Sequence, residues 1–309
     1  LYSSAASDVY KRQVIAFASC SQTELDENFV GQKEIKFSNL NDKVNSRAAN
    51  DNSDNYQVYA DWSGSSTEWF INAPINGTTN LAPTSYHWPA SGTVDFYSWA
   101  PSSITATGAY PALSIAYTVP AAANQDFTIA APELAKSSGT VAFTFAHMLS
   151  KVSVTATLNQ DLLDAGYVLS TTGLTAKLDV QSTGGTVDPK TTPAAWTSPN
   201  TTTASYTGSA SYMIMPQSSV GCAIKITAGI TITKNGAEIY SGDLNEYTIV
   251  AGNVTGDEFA MGKHYMLNLT IADTSTGGGG ENIFNIITFS ANTTPWDTVG
   301  GIDTPLVQP

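Results

Sequence analysis

The stretch "TVAFTFAHMLSKVSVTATL", residues 140–158, alternates apolar and polar side chains twice. Its apolar positions are Val141, Phe143 and Phe145, and then Val152, Val154, Ala156 and Leu158. A repeat of two residues is typical of a half-buried β-strand, because successive side chains point to opposite faces of a sheet. The phase breaks between residues 149 and 151, which predicts a bend or a change of sheet there.

The same alternation recurs along the chain. It is seen in two further runs: Leu113, Ile115, Tyr117 and Val119; and Leu174, Ala176, Leu178 and Val180. Residues 222–244 contain Asn235-Gly236, which tolerates the positive φ angles of a type I′ turn and predicts a hairpin. Helical periodicity is nearly absent, and residues 159–166 are the best candidate for a short helix. The pattern predicts an all-β fold with two antiparallel β-sandwiches.

Composition and charge exclude some classes of function. Thirteen Lys and Arg stand against 26 Asp and Glu, a net charge of −13, which argues against nucleic acid as a partner. Charged residues make up only 13% of the chain, so Ser, Thr, Asn and Gly must supply most of its polar surface. No internal run reaches the roughly 20 apolar residues of a membrane-spanning helix. A chain of 309 residues can bury a sizeable core, and its length favours two domains over one.

Histidine and cysteine are scarce. His147 lies in phase with Phe143, which predicts a hydrogen-bonded histidine of the core or of a domain junction rather than a ligand. His87 and His264 lack the neighbouring His or Cys of a zinc site. Cys222 stands in phase with the apolar residues that follow it, so we expect its thiol to point inward and no disulfide to form.

Other motifs for metal binding or catalysis are incomplete. The stretch "DNSDN", residues 51–55, imitates the start of a calcium loop, but Tyr56 replaces its glycine and Trp62 its bidentate glutamate. A solvated loop is the better interpretation. Glycines 277–280 are not followed by Gly-Lys-Ser/Thr, and no serine lies in a G-x-S-x-G elbow. We expect no catalytic residue, no cofactor and no metal, although carboxylate pairs across strands are invisible in a sequence.

Part of the N-terminal region resembles an export signal. In "VIAFASC", residues 14–20, apolar residues lead into Ala18 and Ser19 before Cys20, and the pattern resembles a bacterial lipoprotein box that would lipidate Cys20. A chance Ala-Ser-Cys triplet is the alternative, because six apolar residues are too few for a full signal core. Residues 1–13, "LYSSAASDVYKRQ", resemble a translated sequencing-adapter remnant and are excluded from fold reasoning.

Several stretches in order resemble one family. After Cys20 come "IKFSNLNDKVNSRAA", "SYHWPASGTVDFYSWAP", "FTFAHMLSKVSVT" and "ITFSANTTPW". This order resembles the fimbrillin family, the pilus subunits of Gram-negative anaerobes from the gut and mouth. The resemblance implies two transthyretin-like β-sandwich domains in tandem and export to the outer membrane as a lipoprotein. It also implies that an arginine- or lysine-specific protease removes an N-terminal segment, after which subunits polymerise by strand exchange.

The resemblance also implies roles for particular residues. "EIKFSNL", residues 34–40, matches the removable first strand, and Arg47-Ala48 matches the site of proteolytic maturation. Withdrawing a strand leaves unpaired backbone groups that another extended chain can fill, so the implied partners are other copies or related fimbrial subunits. The alternative is that Arg47 is an ordinary residue of a solvated linker.

An internal similarity suggests which strand is donated. "IKFSNLN", residues 35–41, and "ITFSANT", residues 287–293, share Ile, Phe and Ser in one register. The pockets for Ile35 and Phe37 are therefore predicted to accept Ile287 and Phe289, with residues 283–290 as the donor strand. The alternative makes 283–290 an ordinary edge strand of its own C-terminal domain.

The predicted organisation has four parts: adapter-derived residues 1–13, a truncated signal, tether and removable strand over 14–47, and sandwiches over 48–147 and 148–309. We expect a fimbrial subunit without enzymatic activity that supports adhesion to a host or bacterial surface ligand. The alternative is a surface glycan-binding lipoprotein that never polymerises. An exposed cluster among Trp62, Trp69, Trp88 and Trp99 would favour that alternative, and burial of these residues would favour the subunit.

Overall fold

The computed structural model describes residues 33–39, 55–63, 68–108, 112–275 and 283–296. Their regular secondary structure is almost entirely β-strand. The strands are β1 (Lys36–Asn39), β2 (Asn55–Trp62), β3 (Glu68–Asn76), β4 (Val94–Ala100), β5 (Ile115–Thr118), β6 (Thr128–Ala130), β7 (Glu133–Lys136), β8 (Thr140–Phe143), β9 (Phe145–His147), β10 (Ser150–Leu158), β11 (Tyr167–Ser170), β12 (Thr175–Val180), β13 (Gly184–Val187), β14 (Ala204–Ser209), β15 (Ser211–Ile214), β16 (Gln217–Ser218), β17 (Ala223–Ala228), β18 (Ile230–Lys234), β19 (Ala237–Gly242), β20 (Glu246–Thr248), β21 (Glu258–Phe259), β22 (Lys263–Asp273) and β23 (Phe284–Pro295).

Helical structure in the described ranges is limited to α1 (Gln160–Asp164) and one 3-10 turn (Thr255–Asp257). The side chain of Asn159 caps α1 by accepting a hydrogen bond from the backbone N–H of Leu162 at 3.1 Å. The short helix predicted within residues 159–166 is therefore confirmed. No helix among the described residues is long and apolar enough to cross a membrane.

One hydrophobic core lies in the N-terminal part of the chain. It is enclosed by a sheet in the order β3-β2-β4-β6-β9, with β7 beside β4, and by the pair β1-β8. We call it the N-terminal core, and its buried residues are Ile35, Phe37, Tyr56, Val58, Ala60, Ala73, Ile75, Trp88, Val94, Phe96, Ala100, Ala130, Val141, Phe143 and Phe145. Aromatic rings fill much of this space, as expected where strands supply alternate large side chains.

A second and larger core occupies the C-terminal part of the chain. It is surrounded by three larger sheets, in the orders β15-β10-β22-β23, β14-β12-β17-β20 and β11-β18-β19. The pairs β5-β13 and β16-β21 complete this part. Tyr59, Tyr97 and Trp99 belong to this larger core although they lie on β2 and β4. The N-terminal sheet is therefore covered on both faces, and the two cores meet across it.

The all-β fold is confirmed, and so are two local predictions. β9 ends at His147 in the N-terminal sheet and β10 begins at Ser150 in another sheet, so the broken phase does mark a change of sheet. Asn235 and Gly236 have φ angles of 52° and 79°, and they join β18 to β19 as the predicted type I′ hairpin requires.

Two pairings differ from the antiparallel expectation. β1 runs parallel to β8, and β10 runs parallel to β22. Parallel neighbours need a long crossover connection, and many strands separate the members of each pair along the chain. Local alternation reports only which faces are buried, so it cannot reveal the relative direction of strands that are distant in sequence. The tandem transthyretin-like organisation and the boundary at residue 148 stay predictions.

Candidate functional site

The candidate site is the groove that holds β1, the strand predicted to be removable. β1 is aligned with β8 through four residue pairs, from Lys36 opposite Thr140 to Asn39 opposite Phe143. Four pairs make a short ladder, and they are formed by backbone groups rather than by particular side chains. Another extended segment could therefore form the same hydrogen bonds with β8.

The residues before β1 are held by a different neighbour. The backbone N–H of Ile35 donates to the carbonyl oxygen of Tyr86 at 2.7 Å, and the N–H of Trp88 donates to the carbonyl oxygen of Lys33 at 2.9 Å. The segment 33–39 therefore lies between residues 86–88 and β8, and it changes partner along its length.

Two side chains anchor this segment in the N-terminal core. Ile35 and Phe37 are each only 5% exposed, as the alternation in the sequence predicts. The ring of Phe37 packs edge-on against Phe96 at 6.0 Å and is stacked with Phe143 at 6.3 Å between ring centroids. Burial of each side chain stabilises the groove by roughly 1.5–3 kcal/mol. An incoming strand needs two apolar residues at the same spacing to replace them.

The outward face of the segment is polar and weakly held. Glu34 and Lys36 are exposed. The hydroxyl of Ser85 donates to a carboxylate oxygen of Glu34 at 2.7 Å, in an exposed setting. Exposed polar contacts of this kind contribute little, so the two apolar side chains and the backbone ladder hold β1 in place.

A cavity of about 210 Å³ lies beside β1, between residues 34–37 and residues 79–86. β8 does not line it. Tyr86 borders the cavity with its ring stacked on Phe70 at 4.1 Å, and burial raises the pKa of the Tyr86 phenol. This side of the segment therefore faces a cavity rather than close-packed side chains, so it makes fewer contacts there.

Three sequence-predicted site residues fall outside the described residues. These are Cys20, the predicted lipidation site, and Arg47 and Ala48, the predicted cleavage site. The chain between β1 and β2 contains Arg47, so a cut there would separate β1 from everything that follows it. Lipidation and cleavage both stay predictions.

The predicted donor segment, residues 283–290, lies mostly within β23. That strand is twelve residues long and forms an edge of its sheet, antiparallel to β22, with eleven aligned pairs from Lys263–Pro295 to Asp273–Phe284. The free chain therefore holds this strand in its own C-terminal part. Whether it is donated to another copy is a separate matter and stays a prediction.

The register of β23 differs from simple alternation. The register shifts between Thr270 and Ile271 of β22. Thr270 is aligned with Thr288 and Ile271 with Ile286, so Ile287 has no aligned partner on β22, as in a β-bulge. Phe284 and Ile286 are the buried residues before the bulge, at 4% exposure each.

Beyond the bulge, Phe289 is half-buried and its ring is stacked on Tyr247 at 5.6 Å. The structure thus gives Phe289 an apolar contact within its own chain. It does not describe the side chain of Ile287, so the predicted equivalence with Ile35 and Phe37 is untested.

A contact that the sequence did not predict fixes the end of β23. The ring of Trp296 is stacked flat on His147, with 3.9 Å between ring centroids. His147 Nδ1 lies 2.6 Å from a carboxylate oxygen of Asp126, so His147 is hydrogen-bonded at the meeting point of the two parts, as predicted. In the sequence, this contact is indicated only by the position of a tryptophan just after the last strand.

The tryptophans bear on the glycan-binding alternative. Trp88 and Trp99 are buried, at 4% and 0% exposure. Trp62 and Trp69 are half-buried with ring centroids 6.4 Å apart, and the indole N–H of Trp62 donates to the carbonyl oxygen of Ser91 at 3.0 Å. Two of the four rings thus pack inside the protein, which leaves a small aromatic surface for stacking on a sugar.

The structure places most of the residues that were considered for metal or nucleophile chemistry. The described residues contain no group of three or more His, Cys, Asp and Glu that could hold a metal ion. His264 Nε2 lies 2.9 Å from the hydroxyl of Ser153. Cys222 is fully buried, as predicted, and burial raises the pKa of its thiol to about 11.

Comparison with known proteins agrees with the architecture. The fimbrillin-like family matches residues 43–296 of the chain. A fimbrial protein from Bacteroides vulgatus has a similar fold, with a TM-score of 0.51 at 13% identity, covering 85% of this chain and 99% of that one. A proposed cell adhesion protein from Bacteroides uniformis gives a TM-score of 0.55 at 17% identity, covering 87% and 99%. No curated protein matches the sequence.

Proposed function

The chain belongs to the fimbrillin-like family, and on that premise we propose that it is a structural subunit of a surface fimbria that assembles by proteolysis and strand exchange. A protease specific for arginine or lysine would cut after Arg47. The strand β1 would then leave its groove, and an extended strand from another copy or from a related subunit would take its place. The fimbria would support adhesion to a host or bacterial surface.

One observation carries the proposal. The segment 33–39 contributes two core side chains, Ile35 and Phe37, yet only four aligned pairs connect its strand β1 to β8. Once the chain is cut before β2, this strand is held only by noncovalent contacts. Its departure would open an apolar groove flanked by unpaired backbone groups of β8, which favours binding of another strand.

Arginine usage fits this scheme. The sequence contains two arginines, Arg12 and Arg47, so Arg47 is the only one that follows the predicted lipidation site. An arginine-specific protease that acts on the exported chain would therefore have one site. Lys43 lies four residues earlier and gives a lysine-specific protease a site in the same segment.

The cleavage step can be tested by treating the folded protein with an arginine-specific protease and measuring intact masses. We expect a cut after Arg47 that leaves residues 48–309 folded. The matched control is Arg47→Ala, which removes the site and leaves the charge of Lys43 in place. If the bond after Arg47 stays intact while the same protease cuts exposed arginine sites in other folded proteins, the maturation step is overturned.

The proposed route to the surface depends on Cys20. We propose that this residue is lipidated on export and anchors the precursor in the outer membrane. In a precursor with a complete signal, Cys20→Ala should move the protein from the membrane fraction to the soluble fraction. Cys222→Ala is the matched control, because that thiol is buried in the larger core. Unchanged fractionation of the Cys20→Ala variant would contradict lipidation.

The identity of the donor strand is a second step in the proposal. Residues 283–290 resemble the β1 segment in sequence, which supports them as a donor. In the free chain, however, they are paired with β22, so donation would first have to break that pairing.

Glycan binding is the less supported alternative. Burial of Trp88 and Trp99 supports the structural subunit, because these rings contribute to packing and are closed to a ligand.

A further inference from the structure

The meeting point of the two cores contains a compact group of side chains that the fimbrial proposal does not use. Tyr59 and Asp61 lie on β2, directly opposite Tyr97 and Asp95 on β4. Opposed residues of neighbouring antiparallel strands share one face of the sheet, so the four side chains form a square patch. The two tyrosine rings are 6.1 Å apart and almost fully buried.

Lys190 reaches this patch from the turn that follows β13. Its Nζ lies 5.3 Å from the ring centroid of Tyr59 and 5.3 Å from that of Tyr97. The same Nζ contacts carboxylate oxygen Oδ2 of Asp61. The two side chains are only 17% and 13% exposed, and 129 residues separate them along the chain. The contact thus joins the N-terminal sheet to the C-terminal part.

This pair differs from other lysine–aspartate pairs of the protein. Lys225 and Asp243 approach to 2.6 Å but are 32% and 60% exposed, as is usual for a surface ion pair. Asp61 is more enclosed, and its second oxygen, Oδ1, is buried with no hydrogen-bond partner among the residues that the structure describes. A charged carboxylate with one unsatisfied buried oxygen is costly, whereas a neutral group at the same place costs much less.

We propose that Lys190 and Asp61 form an intramolecular isopeptide bond, a covalent link between the two parts of the chain. The bond would join Nζ of Lys190 to Cγ of Asp61. It would replace two enclosed charges by one neutral amide, which removes the cost of keeping an ion pair away from water.

The reaction needs no external reagent. A proton passes from the Lys190 ammonium group to Asp61, which gives a neutral amine and a neutral carboxylic acid. The amine nitrogen then attacks Cγ of Asp61, the new C–N bond forms, and the C–OH bond breaks. The nitrogen loses one further proton, the leaving hydroxyl gains it, and one water molecule departs. Ammonium plus carboxylate thus becomes amide plus water, with no change of oxidation state.

Asp95 is placed to transfer that proton. It lies opposite Asp61, where the Cβ atoms of paired residues are about 4.5–5.5 Å apart. Its Oδ1 accepts a hydrogen bond from the backbone N–H of Ala135 at 2.7 Å, which orients the carboxylate. A positioned carboxylate next to the reacting pair can accept the proton from nitrogen and return it to the leaving oxygen.

The test is the intact mass of the full chain, measured after denaturation. We expect the wild-type protein to be lighter than its sequence by one water molecule, and a proteolytic digest to contain a branched peptide that joins Asp61 to Lys190. Lys190→Arg is the matched control, because arginine keeps the positive charge but cannot form this amide. That variant should have its full sequence mass.

Two further readouts sharpen the result. In the same digest, the peptides of Lys225 and Asp243 should be unlinked. Asp95→Asn should lower the linked fraction of freshly folded protein, and complete linkage in that variant would overturn the role of Asp95. A wild-type mass equal to the full sequence mass would overturn the whole proposal and leave an ordinary ion pair. The wild-type mass decides this point even if a variant fails to fold.

Discussion

β1 and β23 are both predicted to take part in strand exchange, yet the protein holds them very differently. Two apolar side chains lie in a core in each case: Ile35 and Phe37, just before and within β1, and Phe284 and Ile286 of β23. β1 is aligned with its neighbour through four pairs, whereas β23 is aligned through eleven. Trp296, just after β23, is also stacked on His147.

Similar side-chain burial therefore does not mean that two strands are paired equally extensively with their neighbours. Because β1 has a short ladder and a cavity on one side, we expect it to be the easier strand to extract. A long ladder and an aromatic contact beyond its end keep β23 in its own sheet.

Deleting β23 should have the largest effect. A chain that ends before Glu281 loses the burial of Phe284 and Ile286, roughly 1.5–3 kcal/mol each, together with the whole ladder to β22. We expect thermal unfolding about 10 °C or more below that of the full chain. The matched comparison is a chain that begins at residue 48, which lacks β1 and should keep the C-terminal core folded.

Alkylation of Cys222 reports on the same contrast. The folded thiol is fully buried with a pKa of about 11, so it should react at mildly alkaline pH only when the larger core opens. Labelling of the Cys222 peptide should rise after deletion of β23 and not after deletion of β1. If the chain without β23 unfolds at the full-length temperature with Cys222 protected, β23 is dispensable in its own sheet, and its role as a donor gains support.

Phe37→Ala tests how firmly β1 is anchored. Truncation of a buried phenylalanine costs about 3–5 kcal/mol, because the neighbouring rings of Phe96 and Phe143 are left around a cavity. We expect β1 to bind more weakly, so the N-terminal segment should dissociate faster after cleavage. Mass spectrometry of the purified residues 48–309 measures how much of the segment stays bound. Ser38→Ala is the control, since Ser38 is only half-buried. Equal stability of the Phe37→Ala variant and the wild type would show that β1 does not complete the core.

Ile286→Ala makes the equivalent change in β23. We expect the free energy of unfolding to fall by about 2–5 kcal/mol, as measured by chemical unfolding of the uncleaved protein. Thr288→Ala, two residues along at an exposed position, should change stability by less than about 0.5 kcal/mol. Similar stabilities for the two variants would mean that the buried side chain of Ile286 stabilises the fold no more than the exposed side chain of Thr288.

Replacing Asp273, the last residue of β22 before the connection to β23, should have the smallest effect on stability. Its Oδ1 accepts hydrogen bonds from the backbone N–H groups of Ser275 at 2.9 Å and Ile283 at 3.2 Å. Burial raises the pKa of this carboxyl, but the hydrogen bonds that it accepts lower the pKa by more. The pKa therefore lies below its usual value. Its stabilisation is therefore present above the unfolded pKa and is lost as pH falls through the folded pKa.

The measurement is the difference in melting temperature between the wild type and Asp273→Asn, followed from about pH 6 to pH 2.5. The difference should be small, favour the wild type at the upper end and disappear at the lower end. A difference that grows as pH falls would contradict this assignment.

Local features were predictable from the sequence because their causes are local. The alternation around Ile35 and Phe37 correctly placed both side chains in a core, and the broken phase near Leu149 correctly marked the change of sheet. The phase of His147 with its phenylalanine neighbours correctly indicated a hydrogen-bonded residue at the junction of the two parts, where it is half-buried.

Other features depend on partners that are distant in the chain. The bulge at Ile287 arises from the register with β22, which the sequence of β23 alone does not contain. The parallel pairing of β1 with β8 and the contact of Lys190 with Asp61 likewise join residues that lie far apart. The acidic pair Asp61 and Asp95 belongs to the cross-strand carboxylates that a sequence does not reveal.

The central claim is that β1 fills a groove which another strand occupies in the fimbria. The most direct measurement is fibre formation after arginine-specific cleavage, followed by light scattering and electron microscopy, with and without a synthetic peptide of residues 33–41. We expect the cleaved protein to form fibres and an excess of the peptide to prevent them. A peptide with aspartate in place of Ile35 and Phe37 should have no effect. Cleaved and folded protein that stays monomeric, or fibres that the native-sequence peptide leaves unchanged, would contradict the account.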